Sequence, residues 1–305
     1  MILAGHTMGT PEYSLPEALE MFARIGLEGA EVVWQTDYRC GLDPASDLAT
    51  LRETARRARD ARVPIIALTP YDNLFNSLDS VERQRAVESF GRALAAAPVL
   101  EARWVRLYGG RFLQGDERWE ERRARLVDSL RVLGGQAEES GVTICVETHF
   151  NTMTDTAERA AALVRDVGHP HVRVLYDQAN LGFTGAEEWP KALRLLQELI
   201  AYVHVKDFVF REERRAFAAD DVTHVEEGAR IVRSRVVGNG IVPWPEILST
   251  LRAGGYDGVL SLEYERRWHP QDLPPAETGM AVSAARVREW MRAGTTRRLR
   301  EEGSS

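Results

Sequence analysis

Four times in this chain a short β-rich run ends in a side chain able to hold a metal or move a proton. The spacing of those endings constrains the fold. Val142–Val146 leads into Glu147 with His149 beyond it, and Val172–Tyr176 leads into Asp177 and then Asn180. Ala201–Val203 leads into His204, Lys206 and Asp207, and Val259–Leu262 leads into Glu263. Positions 147, 177, 204 and 263 lie 30, 27 and 59 residues apart. One strand–helix unit of an eightfold barrel takes about 31 residues, when roughly 250 residues are shared among eight units. The first two intervals therefore match one unit each, and the third is one unit carrying a long insertion. Side chains alternate faces along a strand, so Val142, Ile144 and Val146 point one way and Thr143, Cys145, Glu147 and His149 the other. An apolar face opposite a small and polar one suits a strand between outer helices and a barrel lumen, with the acid at the catalytic rim.

The rest of the chain fits that frame. Strands are predicted at 1–4, 30–34, 64–68 and 104–108, the last stopped by Gly109-Gly110. Helices are predicted over about 14–26, 45–61, 79–97, 117–139, 155–168, 186–200, 243–253 and 276–293. Ser14 and Glu17, Asp79 and Glu82, and Asp155 and Glu158 have the spacing of helix-opening caps. Residues 208–237 form the insertion, a charged segment whose 222–234 portion is predicted helical, and 297–305 reads as a frayed tail. Strands alternating with helices without a break in composition give a single (β/α)8 domain. A doubly wound open sheet is disfavoured because no glycine-rich dinucleotide loop follows the first strand. Long loops in compact domains are usually functional, so 208–237 is a candidate lid.

Composition narrows the function. A net charge of -7 argues against a nucleic-acid groove. The two cysteines, Cys40 and Cys145, give no disulfide framework, and Cys145 is expected to fill the lumen. No apolar run nears the ~20 residues needed to span a bilayer, and the first residues lack a basic and then apolar leader. A soluble, cytoplasmic protein is expected.

Glu147, Asp177, His204 and Glu263 should converge at the barrel mouth as three carboxylates and an imidazole. Such an oxygen-rich set suits one divalent ion, Mn²⁺ first, with Mg²⁺, Co²⁺ or Zn²⁺ as alternatives. His149 shares the Glu147 face and is a candidate acid or base. Lys206 shares the His204 face and is a candidate for polarising a substrate oxygen, or for a salt bridge with Asp207 or another rim carboxylate. His6 and Arg106 lie near strand ends and are further substrate-contact candidates, as are Arg266 and Trp268 in the loop 264–270. His169 and His171 fall on the opposite rim and are expected to be structural, and His224 lies in the insertion.

Val146-Glu147-Thr148-His149, Tyr176-Asp177-Gln178-Ala179-Asn180, His204-Val205-Lys206-Asp207, Gly238-Asn239-Gly240 and Tyr256-Asp257-Gly258 with Glu263 together resemble the xylose isomerase-like barrels, the sugar-phosphate isomerases and epimerases. The resemblance runs to about residue 293. It implies Glu147, Asp177, His204 and Glu263 as metal ligands, with the two glutamates flanking the reacting carbon. Asn180 stands where many epimerases carry a histidine.

The constellation suits removal of a proton beside a metal-bound carbonyl, giving an enediolate. Return of the proton on the other face gives an isomerase or epimerase of a sugar or polyol, the first reading. Expulsion of a neighbouring group gives the alternative, a lyase or dehydratase on a keto-sugar or keto-inositol, including cleavage of 3-keto-glycosides. An abasic-site nuclease and a non-catalytic metal-binding regulator fit less well. A homo-oligomer or a partner subunit is compatible with either leading reading, and neither nucleic acid nor membrane is expected as a partner.

Overall fold

A computed structural model describes the chain except residues 113, 114, 116, 184, 186, 212–229 and 303–305; for 294–302 it describes backbone alone. Eight parallel strands close into a barrel: β1 (Ile2–His6), β2 (Gly29–Val33), β3 (Ile65–Thr69), β4 (Trp104–Tyr108), β5 (Thr143–Glu147), β6 (Val172–Asp177), β7 (Ile200–Val205) and β10 (Val259–Leu262). Between β7 and β10 stands a separate antiparallel hairpin, β8 (Asp207–Phe210) with β9 (Val232–Arg235). The helices are α1 (Leu15–Arg24), α2 (Leu48–Asp60), α3 (Ser80–Ala96), α4 (Trp119–Ser140), α5 (Ala157–Val167), α6 (Gln178–Phe183), α7 (Trp189–Leu196), α8 (Trp244–Ala253) and α9 (Ala276–Glu302).

The two faces of each strand bury different cores. Val142, Ile144 and Val146 join the large cluster beneath the helices, whereas Cys145 packs in the lumen with Ala4, Ala67, Leu175, Tyr202 and Val259. That small apolar plug is the floor of the barrel, and the polar residues sit above it. The helix caps follow their chemistry. Glu17 accepts from the N–H and Oγ–H of Ser14, each at 2.7 Å, and Asp79 accepts from the N–H groups of Val81 and Glu82. At α5 the capping residue is Thr156, which accepts from Arg159 N–H, while Asp155 pairs with the Arg159 guanidinium. His171 Nδ1 lies 2.6 Å from the Val142 carbonyl and His169 Nδ1 accepts the His171 N–H, so both stay with the barrel bottom.

Three sequence expectations need correction. Residues 232–234, expected to be helical, are strand, because Val232–Arg235 finds a partner in Asp207–Phe210; the rest of 222–234 that precedes Arg230, with His224, lies outside the described residues. The helix expected over 186–200 is the shorter α7, started by Trp189-Pro190, and Ile200 already belongs to β7; Ala186 lies outside the described residues. The helix expected to close near 293 is assigned, as backbone, through Glu302, and 303–305 of the tail lie outside the described residues.

Asp207 fixes where the hairpin leaves the barrel. Its Oδ1 accepts from the N–H groups of Phe208 and Val242, and its Oδ2 from those of Gly238 and Gly240, all within 3.1 Å. It is therefore committed to backbone and is not the ion-pair partner of Lys206. A Cβ on Gly240 would stand 2.0 Å from Asp207 Oδ1, so only glycine lets the carboxylate approach. Asp207→Ala would leave four N–H groups without their acceptor. It should destabilise the chain by about 3 kcal/mol or more, read as a fall in the urea midpoint; an unchanged midpoint would show that water replaces the carboxylate.

Candidate metal centre and active site

Strand register brings the four strand-end groups level. Glu147 closes β5, Asp177 closes β6 opposite His204 of β7, and Glu263 follows β10 with its N–H bonded to the Val205 carbonyl at 3.1 Å. One ligand atom from each of Glu147, Asp177, His204 and Glu263 lies within 4.8 Å of all the others, and all four residues are buried. His204 Nδ1 is 3.3 Å from Glu147 Oε1, 3.5 Å from Glu263 Oε1 and 3.9 Å from Asp177 Oδ2.

Each glutamate also carries its own cation. Arg106, from β4, donates through Nε to Glu147 Oε2 at 2.7 Å, and its guanidinium lies 3.4 Å from the Tyr108 ring centroid. Lys206 Nζ is 2.7 Å from Glu263 Oε2, 3.1 Å from Asp177 Oδ2 and 3.3 Å from Glu265 Oε1. Asn180 donates from Nδ2 to Glu147 Oε1 at 3.2 Å, while its backbone N–H goes to Asp177 Oδ1 at 3.0 Å. That last bond starts α6, the short helix that places Asn180.

The charges follow from these contacts. Burial raises the Glu147 carboxyl, but Arg106 and His204 outweigh it and bring the group down to about 2. Burial works the same way on Glu263, where Lys206 and His204 hold it well below the usual carboxylate range. Asp177 is pushed up to about 7 by burial, against Lys206, with Glu263 and Glu147 adding to the rise. Burial alone would strip the Lys206 proton, but Asp177, Glu263 and Glu265 keep it an ammonium. Burial lowers His149 to about 4, so the side chain offered as an acid or base is a neutral imidazole at pH 7.

The donor set fits a divalent cation. Below the four ligands, His204 Nε2 meets both oxygens of Glu31, at 3.0 and 3.1 Å, so His204 stands between carboxylates on both edges of its ring. Asn180 Oδ1 is buried without a hydrogen bond, and Asp177 Oδ2 has the Lys206 ammonium 3.1 Å away. A cation among Glu147, Asp177, His204 and Glu263 would replace the proton that the carboxylates hold on His204 and add a partner to Asp177 Oδ2 beyond Lys206, and three oxygens with one nitrogen suit Mn²⁺ or Mg²⁺.

The other sequence-stated candidates are distributed around this centre. His149 stacks on Phe150 at 4.4 Å and meets Tyr108 edge-on at 5.0 Å, and Tyr71 and Tyr38 continue the row. These half-buried rings line the side of the mouth between β2 and β5. His6 lies in the lumen, 3.6 Å from Glu31. Arg266 is turned to Glu12 and to the Leu273 carbonyl, tying two loops together. Trp268 is half exposed, with Nε1 2.9 Å from Met8 Sδ. Glu31, Glu265 and Tyr202 were not anticipated. Glu31 had a signal, a lone carboxylate inside the apolar run Ala30-Glu31-Val32-Val33; Glu265 had none, because its contact with Lys206 depends on the turn after β10.

The Arg106–Glu147 pair is buried on both sides, at 3% and 1% side-chain exposure. Arg106→Met would strand the Glu147 charge and should destabilise the metal-free chain by about 3–5 kcal/mol. Thermal unfolding would show it; an unchanged transition would mean Glu147 has a second source of compensation.

Comparison with known proteins matches the model of the xylose isomerase-like TIM barrel over residues 19–292. The chain belongs to that family. Inosose dehydratase of Geobacillus thermodenitrificans (strain NG80-2) is 29% identical over 157 residues, 50% of this chain and 48% of that protein. Rhizopine catabolism protein MocC of Rhizobium meliloti is 27% identical over 208 residues, 68% of this chain and 59% of that protein. The match to the inosose dehydratase thus spans about half of its length. A solved L-ribulose 3-epimerase superposes with a TM-score of 0.77 at 20% identity, covering 100% of this chain and 98% of that one. That likeness is one of fold. Among the described residues no helix is long and apolar enough to cross a membrane.

Proposed function

We propose that this xylose isomerase-like barrel is a divalent-metal-dependent lyase that removes water from a keto-polyol or keto-sugar, after taking the proton next to its carbonyl. The observation that carries the reading is the cation on each glutamate, Arg106 on Glu147 and Lys206 on Glu263. Both carboxylates are held ionised. Epimerisation requires one of them to give a proton to the far face, and protonating Glu147 would leave the buried guanidinium of Arg106 unpaired. Elimination requires one ionised carboxylate and one cationic acid, which is the arrangement present.

Glu147, Asp177, His204 and Glu263 would hold the ion. When bound it supplies a Lewis acid that eases negative charge onto the carbonyl oxygen. Glu263 is the proposed proton acceptor, because Lys206 would keep Asp177 and Glu265 beside it, whereas a protonated Glu147 would leave Arg106 without its carboxylate. Lys206, beside Glu263, supplies the proton to the departing hydroxyl. The row of His149, Tyr108, Tyr71 and Tyr38 offers ring faces to the C–H face of a polyol. The similarity to inosose dehydratases, proteins whose name states a dehydration, supports the same choice.

The sequence alone put isomerisation or epimerisation first, and the pair of strand-end glutamates still favours that second reading. Incubation of the Mn²⁺-loaded protein with ketoses, inososes and 3-keto-glycosides, followed by mass spectrometry, separates them. Products lighter by one water are expected; products of unchanged mass alone would sink the lyase reading. The described ends of the insertion, 208–211 and 230–237, are proposed to border the site, since Ser234 Oγ bonds Glu265, which in turn contacts Lys206; 212–229 lie outside the described residues.

A further inference from the structure

We propose that Glu31 is a positioning residue of the metal centre, which fixes His204 with its Nε2–H turned down the lumen and its Nδ1 turned to the three strand-end carboxylates. The proposal rests on reading Glu147, Asp177, His204 and Glu263 as ligands. Glu31 is fully buried in the middle of β2, and among the described residues no Arg or Lys pairs with it. Its partners are hydrogen donors from three other strands. Thr69 Oγ1 of β3 donates at 2.5 Å, and Tyr202 O–H of β7 at 3.1 Å. His204 Nε2 lies 3.0 Å away. His6 of β1 adds a fourth, more distant group. Its Nδ1 accepts the Met8 N–H at 3.1 Å, which makes Nε2 the protonated nitrogen, 3.6 Å from Glu31 Oε1.

A carboxylate only accepts, so the His204 nitrogen that faces Glu31 must carry the hydrogen. The other nitrogen is the one turned to Glu147, Asp177 and Glu263, where a metal ion would take the place of the proton that these carboxylates hold on it. Glutamine in the same place would have both an acceptor and a donor. It would fill the same space yet permit the ring to place its hydrogen on either nitrogen. The charge and the acceptor-only character of Glu31, and not its shape, are therefore what orient the ligand. Groups that hold a metal-binding histidine in this way typically contribute 10–100-fold to metal affinity.

The test is Mn²⁺ titration of the full chain by calorimetry, comparing the parent with Glu31→Gln and with Tyr202→Phe, alongside thermal unfolding of each metal-free protein. Glu31→Gln should bind Mn²⁺ about 10–100-fold more weakly. Tyr202→Phe removes a hydrogen bond to Glu31 but leaves the Glu31–His204 contact, and should bind Mn²⁺ close to the parent. A Glu31→Gln protein that is folded and binds Mn²⁺ as tightly as the parent overturns the proposal. So does equal weakening in both variants, which would make Glu31 a general packing partner. Nitrogen-15 spectra of the Zn²⁺-loaded parent give a readout that needs no variant. His204 should show a protonated Nε2 and a coordinated Nδ1, and the reverse assignment overturns the proposal. A parent that binds no divalent ion would remove the ligand reading itself, a result distinct from loss confined to Glu31→Gln.

Discussion

Lys206→Met should uncouple the two halves of the reaction. The ammonium lies within 3.3 Å of carboxylate oxygens from Asp177, Glu263 and Glu265, and it is buried with the first two. Without it those charges face one another, and the metal-free chain should lose about 3–5 kcal/mol of stability. Added Mn²⁺ should restore much of that loss, because an ion among the same carboxylates replaces the missing charge. Chemistry should respond differently. The remaining carboxylates still remove the proton beside the carbonyl, but no cationic acid waits for the hydroxyl. Product formation is expected to fall by about 10²–10⁴-fold, the range for a general acid, while exchange of that proton with solvent continues. Exchange and product formation falling together would deny Lys206 a role in departure. His149→Ala should slow departure of the hydroxyl far less, since burial keeps that imidazole neutral near pH 7 and so a poor acid.

Glu263→Gln should remove both activities at once. The substitution takes away a ligand and the proposed proton acceptor, and exchange and product formation should each drop about 10²–10⁴-fold even at saturating Mn²⁺. The metal should bind more weakly by more than the 10–100-fold typical of a residue that only supports a ligand. Glu147→Gln makes a useful pair with it. It should weaken metal binding similarly, but it also strands the buried Arg106 guanidinium, at about 3–5 kcal/mol. Loss of Glu263 leaves Lys206 with Asp177 and Glu265 and should cost the metal-free chain less. Calorimetry of the two metal-free variants checks this contrast, and equal unfolding temperatures would contradict the assignment of one cation to each glutamate.

The barrel and the four strand-end residues were legible in the sequence because both depend on local periodicity. Alternation along 142–149 separates an outer face from a lumen face, and the structure buries Ile144 under the helices and Cys145 in the lumen plug accordingly. Repetition of that pattern at barrel spacing then places the acids on one rim. What the sequence hid depends on contacts between distant segments. Nothing local indicates that Lys206 turns to Glu263 and leaves Asp207 to four backbone N–H groups; that division follows from where Gly238-Asn239-Gly240 returns to the barrel. The helix α6 was missed for a similar reason, since it is a single short turn held by Asp177 and carries no long apolar period. The strand at 232–235 was misread because its partner lies more than twenty residues away. Glu31 was the one hidden residue with a visible mark, a charge in the middle of a buried strand.

Removal of the hydrogen beside the carbonyl is the step on which the proposed chemistry depends, and isotope loss measures it directly. A keto-polyol carrying deuterium at that carbon would be incubated in ordinary water with the Mn²⁺-loaded protein, the metal-stripped protein and Glu263→Gln. Mass spectrometry would then follow both recovered substrate and product. The loaded parent should release the label to water and form a product lighter by one water, with release slowed about 10²–10⁴-fold in Glu263→Gln and strongly reduced without metal. Product that retains the label, or label release at the same rate in all three proteins, would contradict proton abstraction at this centre.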